Sequence, residues 1–247
     1  MLSIFIPDIH GFLVQMKRLV DELVRLGYLA DHQLVFLGDY VDRGPDTKGV
    51  IDFCIELQKS GHIFICGNHD YLFHQIISKQ DPADRFLDDW IFSFTGMTMK
   101  SFGLNRFGYR SPSELGLALR AAMSQEEIDF IATLPLYYET GNFIAIHGRC
   151  LTSSTWEHQK RELDSWDRLR KYTPDQLAFT NAWGLPLGFD GCVVSGHQIM
   201  DEPQISPHRV RLELGLDETG VLVAWIPDQH KLVFANKTET WTTDETP

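Results

Sequence analysis

The sequence is short of the features that mark disulfide-stabilised, membrane-spanning or nucleic-acid-coating proteins. Only four of the 247 residues are cysteines, and no two form a C-x-x-C pair. We therefore expect reduced, mostly buried cysteines in a cytoplasmic protein. No apolar run is long enough to cross a bilayer. Lys and Arg number 22 against 34 Asp and Glu, and the resulting net charge of −12 argues against a role in coating nucleic acid or binding an anionic membrane.

The first third of the chain alternates apolar runs with helical periodicity. Leu2–Ile6, Leu34–Leu37 and Ile63–Cys66 are predicted strands, and Phe12–Leu26 and the stretch 50–57 are predicted helices. This β-α-β-α-β order is typical of parallel strands joined by helical crossovers. Because no repeat, low-complexity tract or linker interrupts the chain, we expect a single domain over 1–247.

The pattern changes over approximately 71–138, where helical spacing and turn residues predict a helical cap insertion. Phe143–Ile146 then resumes the strand pattern, and a mixed stretch follows over Trp156–Gly188. Four more strands are predicted beyond it, at Cys192–Ser195, Val210–Leu214, Val221–Ile226 and Leu232–Phe234. The second half is therefore rich in strands, and the sequence predicts an α/β fold with two packed mixed sheets flanked by helices.

Five short polar motifs each follow an apolar run. They supply carboxylate, amide and imidazole donors at the ends of predicted strands, where ligands bind in open α/β sheets. In chain order they are Asp8-Ile9-His10-Gly11, Gly38-Asp39-Tyr40-Val41-Asp42-Arg43-Gly44, Gly67-Asn68-His69-Asp70, His147-Gly148 and Gly196-His197. Any one of them alone is a common turn, but five in strand-terminal order predict a metal site.

Mixed Asp, His and Asn ligation suits borderline divalent metals. Two such ions can hold both the attacking and the leaving oxygen of an in-line displacement, and a water shared by them loses a proton near neutral pH. We expect Asp39 to bridge the two ions. Manganese is the first candidate for both ions, and iron, zinc and cobalt are alternatives.

The order of the motifs resembles the phosphoprotein phosphatase superfamily of dinuclear metallophosphatases. That superfamily includes bacterial serine/threonine protein phosphatases and symmetrical diadenosine tetraphosphatases. The resemblance covers nearly the whole chain, and its most specific part is the run 38–44. A weaker part, from Trp90 through 96–103, resembles the superfamily's cap segment, and 134–138 and 216–220 also agree. The resemblance implies a calcineurin-like metallophosphoesterase fold.

The resemblance also implies roles for individual residues. His69 would be the general acid for the leaving oxygen, with Asp42 as its partner, a chemically sound pair because the carboxylate fixes the imidazole tautomer and favours its protonated form. Arg43 would bind phosphate oxygens through its planar guanidinium, and Asn68 would contact substrate as well as metal. The implied metal ligands are Asp8, His10, Asp39, Asn68, His147 and His197.

The superfamily uses a second arginine from the later half of the chain. Arg168 is the first candidate because 163–168 weakly resembles the corresponding stretch, and Arg149 and Arg161 are alternatives. The sequence departs from the superfamily pattern at Asp70, where Glu is usual, and at Arg149, where a small residue is common. Neither departure removes an expected ligand.

The leading hypothesis is hydrolysis of phosphate esters, with phosphoserine or phosphothreonine proteins as substrates, by in-line attack of a metal-bridging hydroxide. A symmetrical bis(5'-nucleosyl)-tetraphosphatase acting on dinucleotides is the alternative, because it would share every catalytic residue. A non-catalytic metal-dependent binding module is a third hypothesis, which the presence of Asp42 and His69 disfavours. A nuclease is a fourth, and the acidic net charge argues against it.

Overall fold

Two mixed β-sheets organise the protein, which we describe from a computed structural model over residues 1–78, 95–109, 111–164 and 184–245. The strands of the first sheet are β1 (Leu2–Ile6), β2 (His32–Phe36), β3 (Ile63–Phe64), β9 (Leu222–Ile226), β10 (Lys231–Ala235) and β11 (Thr240–Asp244). Their spatial order is β11-β10-β9-β1-β2-β3. β1, β2 and β3 are parallel, and β9, β10 and β11 extend the sheet in antiparallel register. The expected parallel β-α-β-α-β unit is thus confirmed.

The second sheet has five strands in the order β4-β5-β6-β8-β7. They are β4 (Tyr137–Thr140), β5 (Phe143–Ile146), β6 (Cys192–Ser195), β7 (Gln204–Ile205) and β8 (Arg209–Arg211). β5, β6 and β8 are parallel, and the outer strands pair antiparallel. The strands predicted at Phe143–Ile146 and Cys192–Ser195 have the observed bounds, whereas the strand predicted at Val210–Leu214 ends at Arg211.

Apolar side chains fill the space between the sheets. Phe5 and Val35 from the first sheet share a buried cluster with Val194 and Val210 from the second. Phe5 also stacks on Trp225, with ring centroids 5.7 Å apart. Each large apolar side chain buried in this way contributes about 1.5–3 kcal/mol, so the interface holds the two sheets together as a sandwich.

Helices cover the outer faces of the sheets. They are α1 (Leu13–Arg25), α2 (Thr47–Lys59), α3 (Asn68–Ser78), α4 (Gly96–Ser101), α5 (Pro112–Ala122), α6 (Gln125–Thr133), α7 (Trp156–Asp164) and α8 (Leu216–Thr219). Alternate β-strand residues such as Ile4 and Phe36 face this helical layer and pack with Met16 and Leu19 of α1. Within the described ranges, no helix combines the length and apolarity needed to cross a membrane.

The starts of several helices are fixed by side chains. The carboxylate of Asp46 accepts a hydrogen bond of 2.9 Å from the backbone N–H of Gly49 at the start of α2. Ser124 and Glu127 form a reciprocal capping box at the start of α6. Four helices, α3 to α6, lie wholly or mainly in the stretch that was expected to be helical. The four cysteines are free and buried, as expected.

Candidate metal centre

The motif residues lie at the carboxyl ends of five strands. β1 ends at Ile6, just before the first motif, and β2 and β3 end just before the second and third. β5 ends at Ile146, directly before His147, and β6 ends at Ser195, two residues before His197. Since these strands are neighbours within two packed sheets, their ends bring the motif side chains together.

The backbone at the motifs adopts a conformation that L-amino acids rarely occupy. Positive φ angles occur at His10 (46°), Asp39 (53°), Asp42 (70°), Arg43 (61°) and His197 (60°). Among the described residues other than glycine, positive φ occurs elsewhere only at His230. Each such residue costs on the order of 1–3 kcal/mol, and such conformations concentrate at functional sites. This concentration of strained residues is typical of a functional site.

Two glycines let the loops approach the carboxylates. A Cβ atom at Gly67 would collide with the Oδ1 atom of Asp39, and one at Gly196 would collide with the Oδ1 atom of Asp8. Any larger residue at either position would therefore displace a motif carboxylate.

Asp39 is the centre of the donor cluster. Its Oδ2 atom lies 3.6 Å from the Nε2 atom of His10 and 3.4 Å from the Nε2 atom of His147. The Nε2 atom of His147 also lies 3.1 Å from the Nδ1 atom of His197 and 3.0 Å from the Oδ1 atom of Asn68. Among the residues that the structure describes, two groups of donors can each hold a metal ion, and Asp39 belongs to both. They are His10, Asp39 and His69, and Asp39, His147 and His197.

The histidine orientations fit metal ligation. The Nδ1 atom of His10 bonds to the carbonyl oxygen of Val41 at 2.9 Å, and that of His147 bonds to the carbonyl oxygen of Leu37 at 2.8 Å. A backbone carbonyl at Nδ1 fixes the proton there and presents Nε2 as an electron-pair donor, as in metal-binding histidines generally. The convergence of these nitrogens on Asp39 therefore fits divalent cations.

Burial and mutual charge shift the pKa values in the cluster. Burial raises the pKa of Asp39, but His147 and His69 outweigh it and hold that pKa well below its usual range. Burial lowers the pKa of His10 to about 3. Although burial lowers the pKa of His147 as well, Asp39 and Asp8 raise it to about 10. The opposite shifts of Asp39 and His147 arise from the attraction between the carboxylate and the imidazolium, an attraction that a bound cation would replace.

His69 and Asp42 form a close buried pair beside this cluster. The Nδ1 atom of His69 lies 2.7 Å from the Oδ2 atom of Asp42, whose side chain is fully buried. Burial lowers the pKa of His69, but Asp39 and Asp42 outweigh it and raise that pKa above its usual value. The pair has the geometry of an oriented imidazole whose remaining nitrogen, Nε2, can carry a transferable proton.

A small cavity opens onto these side chains. Its volume is about 60 Å³. It is lined by Asp8, Asp39, Arg43, Asn68, His69, His197, Ile199 and Glu213. Drug-sized ligands need about 300–1,000 Å³, so this cavity suits a single small group such as phosphate.

Asp70 ties the second and third motifs together. Its Oδ2 atom accepts hydrogen bonds from the backbone N–H groups of Asp39 (2.7 Å) and Gly67 (2.9 Å), and its Oδ1 atom accepts one from Tyr40 (2.8 Å). Asp70 is fully buried, so few other groups could satisfy these amides. The residue that departs from the superfamily pattern therefore has a clear structural task.

Of the arginine candidates for a second phosphate contact, Arg168 lies outside the described residues. Arg161 lies on α7 and is exposed, and Arg149 follows the His147-Gly148 motif and is half-buried. Neither lines the cavity.

Sequence reasoning missed Glu213, Asp217 and Thr98. Glu213 lines the cavity and is buried, and burial together with nearby Asp8 raises its pKa well above the usual value. The Nη1 atom of Arg43 lies 3.2 Å from the Oδ2 atom of Asp217. Thr98 contacts Asp42. None belongs to a strand-terminal motif, although Thr98 and Asp217 both lie in stretches that resembled the superfamily.

The fold and the donor cluster define a metallophosphoesterase. The chain belongs to the calcineurin-like phosphoesterase family, whose model matches residues 1–221. This confirms the resemblance and the α/β sandwich expected from the sequence.

Several named relatives are similar to the chain. The asymmetrical bis(5'-nucleosyl)-tetraphosphatase PrpE of Bacillus subtilis is 23% identical over 222 residues, which cover 85% of this chain and 84% of that protein. The symmetrical bis(5'-nucleosyl)-tetraphosphatase of Nitrosospira multiformis is 27% identical over 148 residues, 60% of this chain and 43% of that protein. A provisionally named serine/threonine-protein phosphatase of Caenorhabditis elegans, C06A1.3, is 40% identical over 68 residues, 26% of this chain and 18% of that protein. The matches to the last two proteins thus span less than half of their lengths.

A solved structure of a protein serine/threonine phosphatase from Saccharomyces cerevisiae has the same fold. It superposes with a TM-score of 0.55 at 14% identity and covers 99% of this chain and 81% of that chain.

Proposed function

We propose that the protein is a divalent-metal-dependent hydrolase of phosphate esters. The observation that carries the proposal is that Asp39 belongs to both donor groups, together with the bond from the Nδ1 atom of His69, itself a member of the first group, to Asp42. A shared carboxylate is the arrangement needed for two neighbouring ions. A binding module would not need the buried His69–Asp42 pair.

The donor set fits two ions. Asp8, His10 and Asp39 would hold one, and Asp39, Asn68, His147 and His197 would hold the other. When bound, such ions neutralise phosphate charge and lower the pKa of water. Asp, His and Asn donors suit manganese, iron, zinc or cobalt, and manganese is our first choice.

His69 is the group that we assign to protonate the leaving oxygen. As water attacks phosphorus and the bond to the ester oxygen breaks, that oxygen gains negative charge. A proton delivered from the Nε2 atom of His69 neutralises it and releases an alcohol and inorganic phosphate. Asp42 holds the ring through Nδ1 and stabilises its protonated form.

Arg43 and the cavity size favour recognition of the phosphoryl group alone. Arg43 lines the cavity, and its planar guanidinium can bind two phosphate oxygens. The rest of the substrate would lie outside a cavity of about 60 Å³. This arrangement suits phosphoserine and phosphothreonine side chains, the substrate class that we place first, and the 40% local identity to the C. elegans phosphatase is in keeping with it.

A dinucleoside tetraphosphate is the second candidate substrate. Supporting it, similarity to the B. subtilis tetraphosphatase extends over 85% of the chain, whereas the C. elegans match covers 26%. Both substrate classes would use the same metal ligands and the same acid.

A substrate panel tests the proposal. We expect the manganese-loaded protein to hydrolyse para-nitrophenyl phosphate, and kcat/KM for a phosphopeptide to exceed that for diadenosine tetraphosphate. His69→Asn should keep its metal and slow the hydrolysis of esters with poor leaving groups by about 10²–10⁴-fold, the usual contribution of a positioned acid.

The same substitution at His158, exposed on α7, is the matched control and should leave the rate unchanged. A fully metal-loaded protein without activity on any ester would leave a metal-dependent binding module as the better description. A higher kcat/KM for diadenosine tetraphosphate would make the dinucleotide the preferred substrate.

A further inference from the structure

Thr98 contacts the acid pair from outside the strand-terminal motifs. It lies on α4, and its exposed fraction is 0%. We propose that Thr98 is a positioning residue that orients Asp42 and, through Asp42, the imidazole of His69. The inference rests on the role proposed above for His69. It assigns a positioning role to α4, a helix that lies between β3 and β4 in the chain.

The Thr98 hydroxyl bonds to Asp42 twice. It donates to the Oδ1 atom of Asp42 at 2.9 Å and accepts from the backbone N–H of Asp42 at 3.0 Å. The backbone of Asp42 has a positive φ of 70°, a conformation that needs support from its surroundings. One hydroxyl group therefore fixes both the backbone and the carboxylate of the same residue.

The two oxygens of the Asp42 carboxylate have separate partners. Oδ1 accepts from Thr98, and Oδ2 lies 2.7 Å from the Nδ1 atom of His69. Since the carboxylate is planar, fixing Oδ1 also fixes the direction in which Oδ2 meets the imidazole. Without the hydroxyl, the fully buried carboxylate would lose a partner and could rotate away from His69.

Thr47 sets the direction of the Thr98 hydroxyl. The two hydroxyl oxygens are 3.0 Å apart. Because Thr98 gives its proton to Asp42, Thr47 must be the donor in this contact. The bonds then run from Thr47 to Thr98 and on to Asp42, and successive hydrogen bonds of this kind polarise and strengthen one another.

Ser101, on the same helix, makes it possible to distinguish loss of the Asp42 contact from loss of helix packing. The Ser101 hydroxyl donates to the carbonyl oxygen of Thr98 at 2.8 Å and accepts from the backbone N–H of Lys48 at 3.2 Å. These bonds hold α4 against α2, but none of them involves Asp42. Ser101→Ala therefore loosens the helix and leaves the Asp42 contact in place, which makes it the matched control.

The test compares two substrates that differ in their leaving group. The manganese-loaded full chain would be assayed with para-nitrophenyl phosphate and with phenyl phosphate. The leaving group of phenyl phosphate is phenolate, a much stronger base than para-nitrophenolate, because the pKa of phenol is about 10. We expect Thr98→Val to lower kcat for phenyl phosphate by about tenfold to a hundredfold, because the variant loses part of the contribution of a positioned acid. For para-nitrophenyl phosphate, whose leaving group needs little protonation, kcat should fall by less than about threefold. Thr98→Ser should restore the rate, and Ser101→Ala should not change the ratio of the two rates.

Equal loss on both substrates in Thr98→Val, or no loss on either, would overturn the inference, as would the same leaving-group dependence in Ser101→Ala. Thr98→Ala serves as the second variant if Thr98→Val melts below the assay temperature. His69→Asn separates this failure from failure of the proposed function. If His69→Asn shows the leaving-group dependence and Thr98→Val does not, only the role of Thr98 is wrong. If neither shows it, the role of His69 is wrong.

Discussion

The guanidinium of Arg43 is paired with the carboxylate of Asp217, from whose two oxygens its Nη1 atom lies 3.3 and 3.2 Å away. The two side chains are 26% and 29% exposed, so water screens the pair only in part. Phosphate in the neighbouring cavity would meet an arginine that already has an anionic partner. The structure thus places a competing carboxylate beside the group that we assign to phosphate binding.

We expect Asp217→Asn to tighten inhibition by inorganic phosphate. Exposed ion pairs contribute about 0.2–1 kcal/mol, so the inhibition constant should fall by about 1.4-fold to fivefold while kcat stays within about threefold of wild type. Steady-state inhibition of the manganese-loaded enzyme measures this. Arg43→Ala, the matched variant on the other side of the pair, should weaken phosphate inhibition. An inhibition constant that rises in Asp217→Asn would show that the carboxylate instead holds Arg43 ready for phosphate.

Replacement of Asp39 should affect both metal ions at once. Asp39 belongs to both metal-binding groups, and a neutral amide bridges two cations poorly. We expect about two metal ions per wild-type chain and fewer in Asp39→Asn, with activity lost in parallel. Elemental analysis of desalted protein provides the count. Asp52→Asn, on the exposed part of α2, is the control and should keep the wild-type metal content and activity. Wild-type protein that is fully active with about one ion per chain would exclude the dinuclear site.

The Asp70 carboxylate should be a large contributor to stability. It accepts three backbone hydrogen bonds in a fully buried position, and an asparagine would turn one acceptor into a donor that faces an N–H group. We expect Asp70→Asn to lower the free energy of unfolding by about 2–4 kcal/mol, as measured by urea denaturation. Asp129→Asn, at an exposed position of α6, should change it by less than about 0.5 kcal/mol. Equal stabilities of the two variants would contradict this view of Asp70.

His32 should make stability depend on pH. Its Nδ1 atom lies 2.6 Å from Asp31 and its Nε2 atom 2.9 Å from Asp228, so only the protonated ring can donate to both carboxylates. Burial lowers the pKa of His32, but the hydrogen bonds to Asp228 and Asp31 outweigh it and raise that pKa. The stabilisation is therefore complete below the unfolded-state pKa of about 6.5 and is lost as pH rises through the folded-state pKa.

Asp228→Asn tests this dependence. Compared with wild type, it should lose more unfolding free energy at about pH 6 than at about pH 9, because only the protonated imidazole needs the second carboxylate. Urea denaturation at both pH values gives the two differences. Equal losses at the two pH values would mean that the pair stabilises the fold without a proton on His32.

Arg168 remains a prediction from the sequence. We expect Arg168→Ala to lower kcat/KM by about 10²–10³-fold, the range for removing one transition-state donor, with metal content unchanged. Arg161→Ala on the exposed face of α7 is the matched comparison and should have little effect. If Arg168→Ala changes kcat/KM as little as Arg161→Ala does, Arg149 becomes the next position to substitute.

The sequence predicted the fold best where the strands are apolar and end in a polar motif. β1, β5 and β6 were predicted with the observed bounds, because each is a mostly apolar and buried run followed by donor residues. β2 and β3 were predicted at the right places but not with the right bounds, since β2 runs from His32 to Phe36 and β3 ends at Phe64. β4, β7 and β11 were not predicted. β7 has two residues, and β4 and β11 are largely polar with no fully buried residue, so no apolar pattern marked them.

The candidate site followed the same rule. Its motifs could be recognised as candidate donors because each follows a predicted strand, and the resemblance then implied which of their residues are ligands. Thr98 could not be named, because its bond to Asp42 joins residues 56 positions apart through a helix whose docking no local pattern encodes. Asp217 was passed over for a similar reason, since it pairs with Arg43 across 174 residues.

The left-handed backbone at His10, Asp39, Asp42, Arg43 and His197 has a consequence for attempts to engineer this protein. Glycine occupies that conformation without strain, but it would also remove the donor atoms and, at Asp42, the buried carboxylate to which Thr98 donates. A substitution there changes backbone strain and buried hydrogen bonds in opposite directions, so thermal stability alone does not report whether the donors are kept. Screens should therefore impose metal-dependent turnover from the first round.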